Sequence, residues 1–153
     1  MEGALLTTTN QVYADTIIAH LVKGGIRHFC IAPGSRSTPL VLSASHHPLA
    51  TTHVHYDERG LGFYALGMAK AKEAPIALIV TSGTALGNLM PAVMEARHSR
   101  IPLVVISADR PFELQDTHAN QTVNQSQFFG GFVSHYSLIP PAEESIPVAA
   151  IKS

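Results

Sequence analysis

Four short apolar runs, each followed by a loop and a helix-patterned segment, limit what this chain can fold into. The runs are His28–Ala32, Thr52–His55, Ile76–Val80 and Leu103–Ile106. Continuous apolar strands separated by helices belong to a parallel sheet buried on both faces. Right-handed crossovers then bring the four following loops to one edge of the sheet. The expected fold is α/β, a three-layer, doubly wound parallel sheet with helices on both faces. A fifth strand is expected over Val133–Leu138.

The helical segments carry their own start and stop signals. Thr9 or Asn10 can cap a first helix that Gly24-Gly25 ends. Thr38-Pro39 reads as a cap followed by a first-turn proline, and His46-His47-Pro48 breaks that helix. Asp57 precedes a third helix with Leu61, Ala65 and Met68 at helical spacing. A fourth runs from Ala85 to about Arg97. Residues 113–127 are polar, with mixed signals. Ser145 can cap a last helix, but the sequence stops at Ser153 after about two turns, which is marginal for a helix. The expected organisation is one domain over residues 1–153, cut within its C-terminal helix.

Composition narrows the function classes. An apolar fraction of 46% against 14% charged residues supports a full core and argues against disorder. The formal net charge is -1 and no Lys/Arg cluster exists, so a general nucleic-acid-binding role has little support. Cys30 is the only cysteine, which excludes an intrachain disulfide and a cysteine metal site. The first residues lack a basic segment followed by a sustained apolar one, unlike a signal peptide. No apolar run approaches the roughly 18 residues of a membrane span. A soluble, cytoplasmic protein is the expectation.

The loops hold the candidate chemistry. Glu58 stands where a strand hands over to a helix, the usual place for ligand chemistry in an α/β sheet. The plainer alternative is that Asp57 caps the helix and Glu58 complements its dipole. Gly34-Ser35-Arg36-Ser37 can cradle an anion with backbone amides and a guanidinium, or be a capped surface turn. Thr81-Ser82-Gly83-Thr84 has the same shape but lacks the Gly-Lys-Ser/Thr ending of a P-loop. Arg110 can bind a carboxylate in bidentate fashion, or pair with Asp109 or Glu113. Asn120 and Gln121 can supply amide donors to a ligand, or make turns. His53, His55 and Asp57 alternate onto one strand face. That spacing suits a metal, but hydrogen-bonded histidines are the commoner arrangement, and no metal ligand is assigned.

Five ordered motifs carry a resemblance across nearly the whole chain. They are Cys30-Ile-Ala-Pro-Gly-Ser-Arg-Ser-Thr-Pro39, Asp57-Glu-Arg-Gly-Leu-Gly62, Val80-Thr-Ser-Gly-Thr-Ala85, Ser107-Ala-Asp-Arg-Pro111 and Ala119-Asn-Gln121. Together they resemble the N-terminal, pyrimidine-binding domain of the 2-succinyl-5-enolpyruvyl-6-hydroxy-3-cyclohexene-1-carboxylate synthase family. These are thiamine-diphosphate enzymes of menaquinone biosynthesis. Related decarboxylases share the glutamate and the Thr-Ser-Gly loop, but not Pro-Gly-Ser-Arg-Ser.

The resemblance implies a transferase that joins 2-oxoglutarate to isochorismate with loss of carbon dioxide, using thiamine diphosphate and Mg2+ (or Mn2+). Glu58 matches the glutamate that bonds N1′ of the cofactor's aminopyrimidine. Ser82, Gly83 and Thr84 match the cofactor-binding loop. Ser35, Arg36, Arg110, Asn120 and Gln121 match positions that contact the anionic substrates. The diphosphate and the metal belong to another domain, whose Gly-Asp-Gly motif this sequence lacks. In the family that domain comes from another subunit of a homodimer or homotetramer. The resemblance thus implies that this chain alone is inactive and binds the cofactor weakly or not at all. A stand-alone anion-binding module, or a self-associating domain without catalysis, are the alternatives.

Overall fold

The strand Ile76–Val80 is buried at every residue, as five consecutive apolar side chains in the middle of a sheet require. The computed structural model describes residues 8–141 and places this strand third in sequence. Helix α1 spans Thr9–Lys23, followed by β1 His28–Ile31, α2 Thr38–His46, β2 Thr51–Val54, α3 Glu58–Lys72 and β3 Ile76–Val80. Helices α4 Thr84–Asn88 and α5 Met90–Ser99 then lead to β4 Leu103–Ser107. All strand pairs are parallel, in the order β2-β1-β3-β4.

This order fixes where the helices lie. From β1 the chain moves outward to β2 through α2. From β2 it returns past β1 to β3, in the opposite direction, so a crossover of the same hand lies on the other face. On one face Ile18 and Val22 of α1 and Ala44 of α2 pack against Phe29, Ile31, Ala77 and Ile79. On the other, Leu61 and Ala65 of α3, Leu86 of α4 and Val93 of α5 pack against Cys30, Leu78 and Val80. Alternate residues of each inner strand serve the two cores. Burial pushes the Cys30 thiol up to about 11, so it stays protonated within the second core.

The expected three-layer, doubly wound parallel sheet is therefore present, with boundary differences that have local causes. Thr8 caps α1, its hydroxyl accepting from the Gln11 N–H at 3.3 Å, rather than Thr9 or Asn10. Ser37 occupies the N-cap position of α2, and Thr38 is already helical. The expected helix Ala85 to Arg97 is two helices. Pro91 has no N–H to continue α4, so the chain turns at Leu89 and restarts with proline in the first turn of α5.

The expected fifth strand over Val133–Leu138 is a correction. Among the described residues β4 is a sheet edge, half-buried along its length. Residues 130–132 form a short 3-10 turn, and residues 133–138 take no regular secondary structure. The reason lies in the preceding aromatics. Phe129 is buried in the core beneath α4 and α5, and Phe128, Phe132 and Val133 pack against the same cluster. That anchors the segment to the helical layer rather than to the sheet edge. The helix expected from Ser145 lies outside the described residues.

Candidate functional site

Strand order reverses between β1 and β3, and the loops leaving their carboxyl ends meet at that point. Open α/β sheets bind ligands at such crevices. A Cβ on Gly34 would stand 2.5 Å from the Cβ of Thr81, so only glycine lets these two loops touch. An open cleft of about 430 Å3 lies over the contact. It is lined by Pro33, Gly34, Ser35 and Arg36 after β1, Glu58 at the start of α3, Thr81 after β3, Arg110 after β4, and Gln121.

Two adjacent carboxylates divide the labour at the start of α3. Asp57 is the N-cap, its Oδ1 accepting from the backbone N–H of Arg59 at 2.9 Å and of Gly60 at 3.3 Å. Its Oδ2 pairs with Arg59 Nη2 at 2.9 Å. The Arg59 side-chain bond and then the Gly60 amide hold its carboxyl down at about 2. Glu58 is thereby free of capping. It is half-buried, lines the cleft, and takes part in no ion pair among the described residues.

A depressed carboxyl pKa stabilises the fold above the unfolded value and loses that effect as pH falls through the folded one. For Asp57 the window runs from roughly pH 4 down to about 2. Asp57→Asn keeps a capping oxygen but loses the charge. The stability gap between wild type and Asp57→Asn should therefore narrow as urea denaturation is repeated from pH 5 to pH 2. A gap that stays constant over that range would show that the charge adds nothing.

In the same cleft lining as Glu58, two guanidiniums share one carbonyl. Arg36 Nη2 donates to the Asn120 oxygen at 3.1 Å, and Arg110 donates to the same oxygen from Nη2 at 3.0 Å and from Nε at 3.3 Å. Arg36 Nη1 also donates to Ser82 Oγ at 2.9 Å and to Gln121 Oε1 at 3.4 Å. Burial first, then the neighbouring Arg110, press the Arg36 pKa below its usual value, while Asp109 offsets this in part. Burial likewise raises the Asp109 carboxyl. Neither arginine forms a salt bridge with a carboxylate among the described residues. Two cations held by a neutral carbonyl leave positive charge facing the cleft, which suits an anion. The alternative of Arg110 paired with Asp109 or Glu113 does not hold: Asp109 accepts only the Arg110 backbone N–H, at 2.7 Å.

The turn after β3 is tied inward. Ser82 is fully buried, and its hydroxyl donates to the Gln121 carbonyl at 2.7 Å. Gly83 N–H donates to Gln125 Oε1 at 2.9 Å, and Thr84 is exposed at the first position of α4. Of the loop residues singled out from sequence, Ser35, Arg36, Glu58, Arg110 and Gln121 line the cleft together. Ser82, Gly83 and Asn120 stand behind it as supports. Gln125 was missed, since a glutamine in a polar segment carries no periodic signal. His53 and His55 part company. His53 Nε2 lies 3.2 Å from His28 Nδ1, whereas His55 Nδ1 lies 2.9 Å from the Asp57 carbonyl.

Comparison with known proteins meets this geometry. The family model described as "Thiamine pyrophosphate enzyme, N-terminal TPP binding domain" matches residues 11–128. The chain belongs to this family. A relative named 2-succinyl-5-enolpyruvyl-6-hydroxy-3-cyclohexene-1-carboxylate synthase, from Aliivibrio fischeri, is 53% identical over 138 residues, covering 90% of this chain and 24% of that protein. A relative of the same name from Cronobacter sakazakii is 53% identical over 143 residues, covering 94% of this chain and 26% of that protein. The chain spans about a quarter of the length of the curated relatives it matches.

As a thiamine pyrophosphate enzyme domain, the chain offers a fit to one end of that cofactor. Glu58 lines the cleft without an ion pair among the described residues, and a carboxylate so placed can share a proton with a ring nitrogen. Among the described residues no three His, Cys, Asp or Glu side chains stand together to hold a metal ion. No described helix is long and apolar enough to cross a membrane.

Proposed function

We propose that this chain is the pyrimidine-binding half of a 2-succinyl-5-enolpyruvyl-6-hydroxy-3-cyclohexene-1-carboxylate synthase. Its substrates are 2-oxoglutarate and isochorismate. Bound at the cleft, thiamine diphosphate supplies the electron sink for decarboxylating a 2-oxo acid. The diphosphate and its Mg2+ are held by a domain of another subunit in a cytoplasmic homo-oligomer, so the chain alone is inactive. Glu58 hydrogen-bonds the pyrimidine and shares a proton at its Oε. The Ser82-Gly83-Thr84 turn supports the cofactor subsite from behind the cleft lining. Ser35, Arg36, Arg110, Asn120 and Gln121 orient the substrate carboxylates, and Arg36 and Arg110 carry the charge that recognises them.

The observation that supports this reading best is one cleft lined by a carboxylate and by two guanidiniums, none of them in a salt bridge with one another or with any other group among the described residues. The test is carbon dioxide release from 2-oxoglutarate by the full-length protein, with thiamine diphosphate and Mg2+, in the presence and absence of isochorismate. Release coupled to isochorismate consumption is expected. Arg110→Ala should raise the KM of a carboxylate substrate about 10- to 100-fold, the scale of a charge-assisted hydrogen bond. Arg110→Lys should recover only part of this, since an ammonium lacks the planar fork. An unaltered KM in Arg110→Ala would remove this residue from substrate binding.

A further inference from the structure

Gln125 lies outside the cleft lining, yet its amide holds together the two loops that bear Ser82 and Arg110. The side chain is buried, at 9% exposure. Oε1 accepts the Gly83 N–H at 2.9 Å. Nε2 donates to the Ala108 carbonyl at 3.1 Å and to Ser107 Oγ at 3.2 Å. Ser107 Oγ in turn reaches the Thr81 carbonyl at 3.2 Å. One amide thus grips the loop after β3 and the loop after β4, from a third segment that also carries Asn120 and Gln121.

We infer that Gln125 is a positioning residue that sets the two-guanidinium carboxylate slot. This rests on the function proposed above. One residue before Gly83 stands Ser82, whose Oγ accepts Arg36 Nη1 at 2.9 Å. Two residues after Ala108 stands Arg110, which donates to the Asn120 carbonyl. Both arginines therefore take their aim from backbone that the Gln125 amide fixes. Its acceptor faces an N–H and its donors face a carbonyl and a hydroxyl, so the two ends of the amide are not interchangeable. Only a group with one acceptor and one donor satisfies both loops. A neutral carboxylic acid is such a group; a carboxylate, with two acceptors, faces the Ala108 carbonyl unfavourably.

The test compares Gln125→Ala and Gln125→Glu with wild type in the full-length protein. The readouts are the KM for 2-oxoglutarate, calorimetric affinity for the non-reacting dicarboxylate succinate, affinity for thiamine diphosphate with Mg2+, and thermal unfolding. Gln125→Ala should weaken dicarboxylate binding about tenfold, the scale of buried groups left unpaired. Cofactor affinity should fall by a smaller factor, because Gln125 reaches the cofactor subsite only through the Gly83 N–H and shares no bond with Glu58. In Gln125→Glu, dicarboxylate affinity should be near wild type at low pH and fall as the introduced carboxyl ionises, a limb absent from wild type. Should Gln125→Ala fail to fold, that pH profile alone decides. Dicarboxylate affinity unchanged in both variants, or dicarboxylate and cofactor affinities falling by the same factor, would overturn the inference. If wild type binds succinate but turns over no 2-oxo acid, the proposed function fails and succinate still decides the role of Gln125. If wild type does not bind succinate, no carboxylate slot exists to be positioned and the inference fails.

Discussion

Glu58→Gln should lower the turnover of the full-length protein by about 100- to 10,000-fold, the range for losing a positioned acid–base group. Its thermal stability should change by no more than about 1 kcal/mol, the worth of one charge at a helix N-terminus. The two effects separate because Asp57 already does the capping, with bonds to the Arg59 and Gly60 amides. Glutamine matches glutamate in shape and still hydrogen-bonds, but it cannot share a proton with a ring nitrogen. If Glu58 served only the helix dipole, the pattern would invert, with a small stability loss and full turnover. Steady-state rates and unfolding curves of the same preparation distinguish the two.

Gly83→Ala should destabilise the chain by about 2–4 kcal/mol, since backbone strain and overpacking act together. Gly83 has φ 73° and ψ -130°, a conformation open to glycine and strained for alanine. A Cβ there would also meet the carbonyl carbon and oxygen of Gln121 at 2.9 Å. These are backbone atoms, so no rotamer change relieves the contact. The segment carrying Asn120 and Gln121 must shift, and the common acceptor of Arg36 and Arg110 shifts with it. The unfolding midpoint of the 153-residue chain should drop by roughly 5–15 °C. A midpoint within a degree of wild type would contradict the close approach at Gly83.

The inner strands were legible because burial on both faces leaves a continuous apolar run, and β3 matches its run residue for residue. Asp57 was legible as a cap for an equally local reason: a short acidic side chain standing just before a helical pattern. The break at Leu89 was missed because the helical pattern continues across Pro91 in one dimension, although the hydrogen-bond ladder cannot. The fifth strand was misplaced because Phe128, Phe129 and Phe132 take the chain to the α4–α5 layer, a tertiary choice without a local signal. In the site, local sequence left Arg36 and Arg110 undecided. Their aim comes from Asn120, 84 and 10 residues away in the chain. Gln125 acts across 42 residues on Gly83. Such long-range hydrogen bonds leave no spacing to read.

The most direct measurement is hydrogen exchange by mass spectrometry on the full-length protein, with and without saturating thiamine diphosphate and Mg2+. The first amides of α3 and the turn after β3 border the cleft at Glu58 and Thr81. Bound cofactor should slow exchange in peptides covering residues 56–62 and 81–86. Glu58→Ala should weaken binding and that protection together. Saturable cofactor binding that leaves both segments unprotected would contradict the placement of the pyrimidine against Glu58.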